Sequence, residues 1–269
     1  MKHQIAGLML GLLALPAAAA VQTQSIEYDV GGTTHVGYLA YDDSDDTARP
    51  GVLVIPEWWG LNDYAKQRAR ELAAAGYVAF AADMYGEGKT TQSSQEAKSW
   101  STAAKANLRG LGQAALSQLA EAPRVDDAHL GAIGFCFGGT SALELAYSGA
   151  PVDAVVSLHG HLPPPATSDD VNAAILVLHG AADPMVKMSD VTQLAKTLDA
   201  RENVDWHLTM YGDAEHAFTN PAADDYGIDG VSYNAVAAKR AWAHTQTFLA
   251  DKLAGGETGT AGPSDQPDD

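Results

Sequence analysis

Five predominantly apolar runs constrain the fold of this chain most, because such runs match strands that are buried on both faces of a sheet. They lie at residues 51–56, 77–85, 129–135, 152–160 and 173–180. Segments with helical periodicity lie at residues 61–76, 93–119, 139–149 and 189–200, and a last strand at 204–212 and a last helix at 231–253 complete the pattern. This alternation predicts an α/β fold with a doubly wound, mostly parallel sheet and helices on both faces.

A β-hairpin is predicted before the first of these strands. Polarity alternates over residues 22–41, and Gly31 and Gly32 interrupt the alternation where a tight turn is needed. The chain has 269 residues, of which 46% are hydrophobic, so it can bury one full core. We therefore predict a single domain over residues 21–254.

The two ends of the chain have a different composition from this domain. Lys2 precedes a short apolar run at residues 5–15, and three alanines ending at Ala20 form a small-residue cleavage site. The run is short for a bilayer span of about 20 residues. We expect a signal peptide over residues 1–20, a periplasmic or secreted protein, and no membrane contact after cleavage. The acidic segment at residues 255–269 is expected to be disordered.

The charge of the chain bears on its partners. Lysine and arginine number 16 and aspartate and glutamate 34, so the formal net charge is −18. Nucleic acid and anionic membranes bind basic patches, and we therefore expect neither as a partner. A small molecule is the expected ligand, and a monomer is the expected state.

The single cysteine, Cys136, lies in the sequence GFCFG between a predicted strand and a predicted helix. Glycines on both sides permit the tight turn of a nucleophile elbow, which exposes the central side chain beside a helix N-terminus. An unpaired cysteine is often an ordinary core residue. The strand before it and the helix after it favour a nucleophile here.

Two later residues are suited to assist this cysteine. Asp183 and His216 each follow a predicted strand, in the chain order nucleophile, acid, histidine of α/β-hydrolases. Asp183 precedes a proline and could instead form a turn, and His216 could be a packed surface histidine. Asp213 and Glu215 are rival acids, but they lie too close to His216 in sequence to face it across a cleft.

Other polar residues also follow predicted strands. Glu57 comes directly after the first apolar run and before Trp58 and Trp59. A carboxyl group buried there would have a raised pKa, whereas a solvated loop acid would not. Three further histidines could suggest a metal site, namely His159, His161 and His179. They lack a nearby cysteine or a fixed ligand spacing, so we expect no metal and no cofactor.

Four motifs, PEWWG, GFCFGG, HGAADPMV and GDAEHAF, occur in this order, and together they resemble the dienelactone hydrolase family of α/β-hydrolases over residues 25–253. The resemblance implies a catalytic triad of Cys136, Asp183 and His216. It also implies hydrolysis of an ester or lactone through a thioester intermediate.

The same resemblance assigns roles around the triad. Glu57 would hold the resting thiol and take its proton, and the backbone N–H groups of Trp58 and Phe137 would form an oxyanion hole. Relatives that hydrolyse carboxylate-bearing lactones carry arginines after the DMY segment and just past the H-x-F segment. In this chain those places read GEGK, at residues 86–89, and Thr219.

These departures bear on the substrate. Trp59 and Tyr85 would present flat apolar walls, and Lys89 is the one cation near the predicted mouth of the site. We therefore expect small neutral esters or lactones as substrates. A non-catalytic small-molecule binding protein on the same fold is the alternative. A redox-sensing thiol protein is disfavoured because the chain has no second cysteine.

Overall fold

The computed structural model describes residues 21–254. The predicted signal peptide at residues 1–20 and the predicted tail at 255–269 lie outside the described residues. No helix within the described part of the chain is long and apolar enough to cross a membrane.

A single sheet of eight strands forms the centre of the described domain. The strands are β1 (Val21–Val30), β2 (Thr33–Asp42), β3 (Arg49–Ile55), β4 (Val78–Ala81), β5 (Val125–Phe135), β6 (Ala154–Leu158), β7 (Ala174–Gly180) and β8 (Trp206–Tyr211). They lie in the order β1-β2-β4-β3-β5-β6-β7-β8. β1 and β2 form the predicted antiparallel hairpin, and β2 also pairs antiparallel with β4. All later neighbours in this order, from β4 and β3 to β7 and β8, pair in parallel. The predicted α/β fold is confirmed.

Six helices pack on the two faces of this sheet. They are α1 (Asp63–Ala74), α2 (Ser94–Ala104), α3 (Leu108–Ala120), α4 (Phe137–Ala146), α5 (Met188–Asp199) and α6 (Ala235–Leu253). Alternate residues of β3 enter different cores: Leu53 packs with residues of α3, α4 and α5, whereas Val52 packs with residues of α1 and α6. Both faces of the central strands are therefore buried, which explains their apolar sequences.

Several elements differ from the predicted bounds by a few residues, and two of these differences change the course of the chain. The strand predicted at residues 77–85 ends at Ala81, because the chain turns around the buried carboxylate of Asp83. The two carboxylate oxygens of Asp83 accept hydrogen bonds from four backbone N–H groups at 2.8–3.0 Å, those of Val36, Tyr85, Gly86 and Gly88. The helix predicted at residues 93–119 is interrupted by a 3-10 turn at Lys105–Asn107.

Candidate active site

Cys136 occupies a sharp turn between β5 and α4. Its φ angle is +52°, a value that non-glycine residues rarely adopt. A Cβ atom on Gly134 would lie 1.9 Å from the carbonyl oxygen of Gly138, and one on Gly138 would lie 2.1 Å from that of Ile55. Only glycine fits at either position, and the close approach of these backbones holds the cysteine at the carboxyl edge of the sheet.

His216 and Asp183 continue from the thiol as a hydrogen-bonded chain. The Nε2 atom of His216 lies 3.0 Å from Cys136 Sγ, and its Nδ1 atom lies 2.8 Å from Asp183 Oδ2. The other Asp183 oxygen accepts the N–H groups of Met185 and Val186 at 2.8 and 3.3 Å. Asp183 therefore forms a turn, as its proline neighbour suggested, and also contacts the imidazole.

The charges in this chain of residues support one another. Burial by itself lowers the pKa of His216, but negative charge at Cys136 and the carboxylate of Asp183 hold that pKa well above its ordinary value. Burial likewise raises the pKa of Asp183, yet the hydrogen bond and charge of His216 keep it below its ordinary value. The arrangement therefore favours a positively charged imidazole at 3.0 Å from the sulfur of Cys136.

A second histidine contacts the backbone of Cys136. The backbone N–H of Cys136 donates to His159 Nδ1 at 3.1 Å and to the carbonyl of Leu158 at 3.0 Å. Burial and the charge of His216 hold the pKa of His159 well below its ordinary value, so the ring is neutral. Because Nδ1 accepts, the ring hydrogen lies on Nε2 and is donated to Thr219 Oγ1 at 2.7 Å. The Thr219 hydroxyl also contacts the hydroxyl of Tyr64 at 2.8 Å and is buried.

The histidines considered as metal ligands have other surroundings. His159 is held between Cys136 and Thr219, while His161 lines the catalytic pocket. Within residues 21–254, no three His, Cys, Asp or Glu side chains gather in a way that could hold a metal ion.

Glu57 is buried near Cys136 and His216, with 3% of its surface exposed, so it is not a solvated loop acid. Its Oε2 atom accepts a hydrogen bond from Asn220 Nδ2 at 2.6 Å. Burial raises the pKa of Glu57 to about 7, against the opposing effects of Asn220 and of the charges on His216 and Arg68. The resemblance implied that Glu57 holds the resting thiol; in this structure the thiol contacts His216, and Glu57 contacts Asn220.

The two residues implied to form an oxyanion hole flank this site. Phe137 is the first residue of α4, so its N–H lies at the positively polarised end of the helix. Trp58 follows Glu57 and lines the pocket around Cys136.

The pocket in front of Cys136 is small and mostly apolar, with a volume of about 110 Å³. Its walls are Glu57, Trp58, Trp59, Cys136, His161, Met185, His216, Ala217, Tyr226, Ile228 and Val231. The rings of Trp59 and Tyr226 pack with their centroids 4.5 Å apart. Of the three predicted substrate-binding residues, only Trp59 lines this pocket.

Tyr85 and Lys89 lie outside the pocket lining, because the chain bends around Asp83 before it reaches them. The hydroxyl of Tyr85 donates to the carbonyl of Trp58 at 2.9 Å. The ammonium of Lys89 pairs with Glu87 at 2.9 Å in an exposed ion pair. Contact of these two side chains with substrate therefore stays a prediction, whereas the structure shows that Tyr85 supports the Trp58 backbone.

One pocket wall comes from a segment that the sequence analysis missed. The chain leaves the sheet at Tyr211 and, after passing His216, returns beside that residue. There the N–H of His216 donates to the carbonyl of Gly230, and the N–H of Ser232 donates to the carbonyl of His216. Asn220, Tyr226 and Ile228 lie on this segment, which we call the 217–231 loop. Its sequence has no regular periodicity, so only its position just after His216 indicated a role.

The sheet, the elbow and the residues after β7 and β8 define an α/β-hydrolase fold. The model of the dienelactone hydrolase family matches residues 36–253, and the chain belongs to that family. It is an enzyme of the ester- or lactone-hydrolase type.

Similar proteins agree with this assignment. The crystal structure of a dienelactone hydrolase-like promiscuous phosphotriesterase from metagenomic libraries is 38% identical, with a TM-score of 0.83 over 88% of this chain and 100% of that chain. A Bradyrhizobium protein provisionally named a 2-oxo-3-(5-oxofuran-2-ylidene)propanoate lactonase is 28% identical over 89% of this chain and 99% of its own length. An Aquifex aeolicus protein provisionally named a carboxymethylenebutenolidase is 29% identical over 75% and 89%.

Proposed function

We propose that this protein hydrolyses small neutral esters and lactones, with Cys136 as nucleophile, His216 as general acid and base, and Asp183 as the residue that orients the imidazole. The observation that carries this proposal is the chain of contacts at 3.0 Å from Sγ to Nε2 and 2.8 Å from Nδ1 to Oδ2. These are distances at which a proton can pass between the sulfur and the imidazole.

In the first half of the reaction the Cys136 thiolate attacks the carbonyl carbon, and the carbonyl π electrons move to its oxygen. The backbone N–H groups of Trp58 and Phe137 stabilise this oxyanion, and loss of one such donor typically costs about 10²- to 10³-fold in rate. When the tetrahedral intermediate collapses, the bond to the alcohol oxygen breaks and the imidazolium of His216 protonates that oxygen. A thioester and a neutral imidazole remain.

In the second half, His216 takes a proton from water as the water oxygen attacks the thioester carbon. Collapse of the second intermediate breaks the carbon–sulfur bond and returns the thiolate beside the imidazolium. Asp183 accepts from Nδ1 throughout, which keeps the ring in the tautomer that presents Nε2 to the sulfur. A lactone differs only in that its alcohol remains attached to the acyl group.

The pocket lining supports a neutral substrate. A carboxylate that enters a small pocket loses its hydration, and a fixed guanidinium or ammonium group is needed to offset that loss. None of the pocket-lining residues in the described chain is lysine or arginine. The walls from Trp58, Trp59 and Ile228 instead favour an uncharged acyl group.

A phosphotriester is a second candidate substrate. The metagenomic relative is described as a promiscuous phosphotriesterase, and phosphotriesters are neutral like the esters proposed here. The thiolate would attack phosphorus, the phosphoryl oxygen would take the position of the oxyanion, and the alcohol would leave with the proton of His216.

The test uses Cys136→Ala and Cys136→Ser beside the wild type. We expect turnover of p-nitrophenyl acetate by the wild type, its loss after iodoacetamide treatment, and its loss in Cys136→Ala with unchanged circular dichroism. Full activity in Cys136→Ala would overturn the proposal. Binding without turnover by the wild type would favour the non-catalytic alternative.

We also propose that the protein is exported as a monomer after cleavage following Ala20 and does not bind nucleic acid. The support is the signal-like pattern at residues 1–20 and the net charge of −18. Mass spectrometry of the protein recovered from the periplasm and from the medium tests export and the cleavage after Ala20. The native mass of the same protein tests whether it is a monomer. An uncleaved N-terminus would contradict the export proposal.

A further inference from the structure

The side chain of Asn220 has a fully determined hydrogen-bonding arrangement beside Glu57. Its Oδ1 atom accepts the backbone N–H of Ala222 at 3.0 Å, which fixes which end of the amide is oxygen. Its Nδ2 atom donates to Glu57 Oε2 at 2.6 Å and to the hydroxyl oxygen of Tyr226 at 2.9 Å. Both amide hydrogens are therefore used, and Asn220 is 1% exposed.

This arrangement makes the two carboxyl oxygens of Glu57 unequal. Oε2 faces a donor, so a proton on Oε2 would point at the amide hydrogen of Asn220. Oε1 is buried and has no hydrogen-bond partner within the described residues. Protonation of Glu57 is thus favoured on Oε1, the oxygen that makes no hydrogen bond within the described residues.

Groups from several elements face Glu57 and affect its charge. They are Tyr64 and Arg68 on α1, Cys136 at the elbow, and His216, Asn220 and Tyr226 at or after the end of β8. Arg68 and His216 act on Glu57 through their charge, whereas Asn220 holds it by a direct hydrogen bond. Asn220 therefore orients this carboxyl, and among the neighbouring groups it opposes most strongly the rise in pKa that burial causes.

We propose that Asn220 is a positioning residue that assigns proton exchange at Glu57 to the single oxygen Oε1, and that Tyr226 fixes the Asn220 amide in the orientation this requires. The inference rests on the proposed hydrolase function and on the role that the family resemblance implies for Glu57, which is to take the proton of the resting thiol. Tyr226 also lines the pocket and packs on Trp59, so a ligand that moves its ring disturbs Asn220 and Glu57 as well.

The test follows the carboxyl carbon of Glu57 directly. Protein labelled with ¹³C at the glutamate carboxyl carbon is titrated by NMR, and the Glu57 resonance is assigned by its absence from Glu57→Gln. We expect the wild-type midpoint at about 7. In Asn220→Ala the midpoint should rise by about one pH unit, the size expected when a carboxylate loses one hydrogen bond. Tyr226→Phe should shift the midpoint in the same direction by less.

Asn234→Ala is the matched control, because Asn234 caps α6 through the N–H of Ala237 at 3.0 Å instead of contacting Glu57. Its Glu57 midpoint should match the wild type. In Asn220→Ala the acid limb of the kcat/KM profile should move up with the NMR midpoint, and kcat/KM at pH 7 should fall about fivefold because less of Glu57 is ionised. If Asn220→Ala does not fold, Tyr226→Phe carries the test, because it leaves Glu57 and Asn220 in place.

The outcomes separate this inference from the proposed function, because the NMR titration needs no turnover. An unchanged Glu57 midpoint in folded Asn220→Ala, or in Tyr226→Phe when that variant carries the test, would overturn the inference even in an active esterase. The expected shift in a protein without esterase activity would support the positioning role and overturn the hydrolase proposal alone.

Discussion

The Nε2 atom of His159 lies 2.7 Å from the Oγ1 atom of Thr219, and this contact joins the backbone of Cys136 to the loop that follows His216. Cys136 and His216 come from different strand ends, so their 3.0 Å separation depends on how those two ends are held together. His159 and Thr219 form that connection in the interior, behind the reacting atoms.

Thr219→Val is therefore expected to lower kcat/KM about tenfold, because it leaves the buried N–H of His159 without its acceptor. The free energy of unfolding should fall by about 1 to 3 kcal/mol. Thr245→Val is the control, since Thr245 is equally buried but bonds the carbonyl of Ala241 within α6. Steady-state kinetics and urea unfolding measure both effects; equal activity in the two variants would contradict the positioning role of Thr219.

Gly138→Ala is expected to disrupt the elbow. The added methyl group would lie 2.1 Å from a backbone oxygen of β3, which cannot move without shifting the central strand. We expect a loss of at least about 2 kcal/mol in the free energy of unfolding. Gly212→Ala, where nothing lies within 4 Å of the added atom, should stay within about 0.5 kcal/mol of the wild type. Thermal and urea unfolding test the pair, and a wild-type melting temperature in Gly138→Ala would show that the elbow tolerates expansion.

Glu57 makes the stability of the fold depend on pH. Its pKa rises from 4.5 to about 7 on burial, so the folded state binds this proton more tightly than the unfolded state. The resulting stability is complete below about pH 4.5 and is lost as pH rises through about 7. Glu57→Gln keeps an oxygen for Asn220 but cannot ionise.

Relative to the wild type, Glu57→Gln should thus gain up to about 3 kcal/mol in the free energy of unfolding between pH 5 and pH 8, although it loses activity. Urea unfolding at several pH values measures this difference. A constant difference across the range would show that Glu57 does not titrate as proposed.

The proposed substrate preference can be tested with a pair of esters that differ in one carboxylate. We expect a higher kcat/KM for the neutral ester, and the gap should narrow as salt screens the acidic surface. Lys89→Ala should leave kcat/KM for both esters close to the wild-type values, because Lys89 pairs with Glu87 outside the pocket. Preference for the anionic ester at low salt would contradict the neutral-substrate proposal.

The parts of this fold that depend on residues close together in sequence could be predicted from local sequence patterns. Buried parallel strands require continuous apolar runs, and the elbow requires glycines around Cys136; both features can be recognised within a few residues. The hydrogen bond from Asn220 to Glu57 joins residues 163 positions apart, and nothing near either residue specifies it. The position of Tyr85 and Lys89 outside the pocket lining has a related cause, since the bend that redirects the chain depends on the contact of Asp83 with Val36 of β2.

The 217–231 loop is closed at its base by backbone hydrogen bonds beside His216, and it supplies the pocket wall that contains Tyr226 and Ile228. The imidazole is therefore anchored independently of what the loop carries at its tip. In this arrangement, the residues that determine reactivity and the residues that determine substrate range lie in different parts of the chain. Changes confined to residues 221–225 and 227–229 can alter which molecules fit while the hydrolytic residues keep their places. Directed evolution restricted to those eight positions should yield new substrate ranges from this scaffold at little cost to its reactivity.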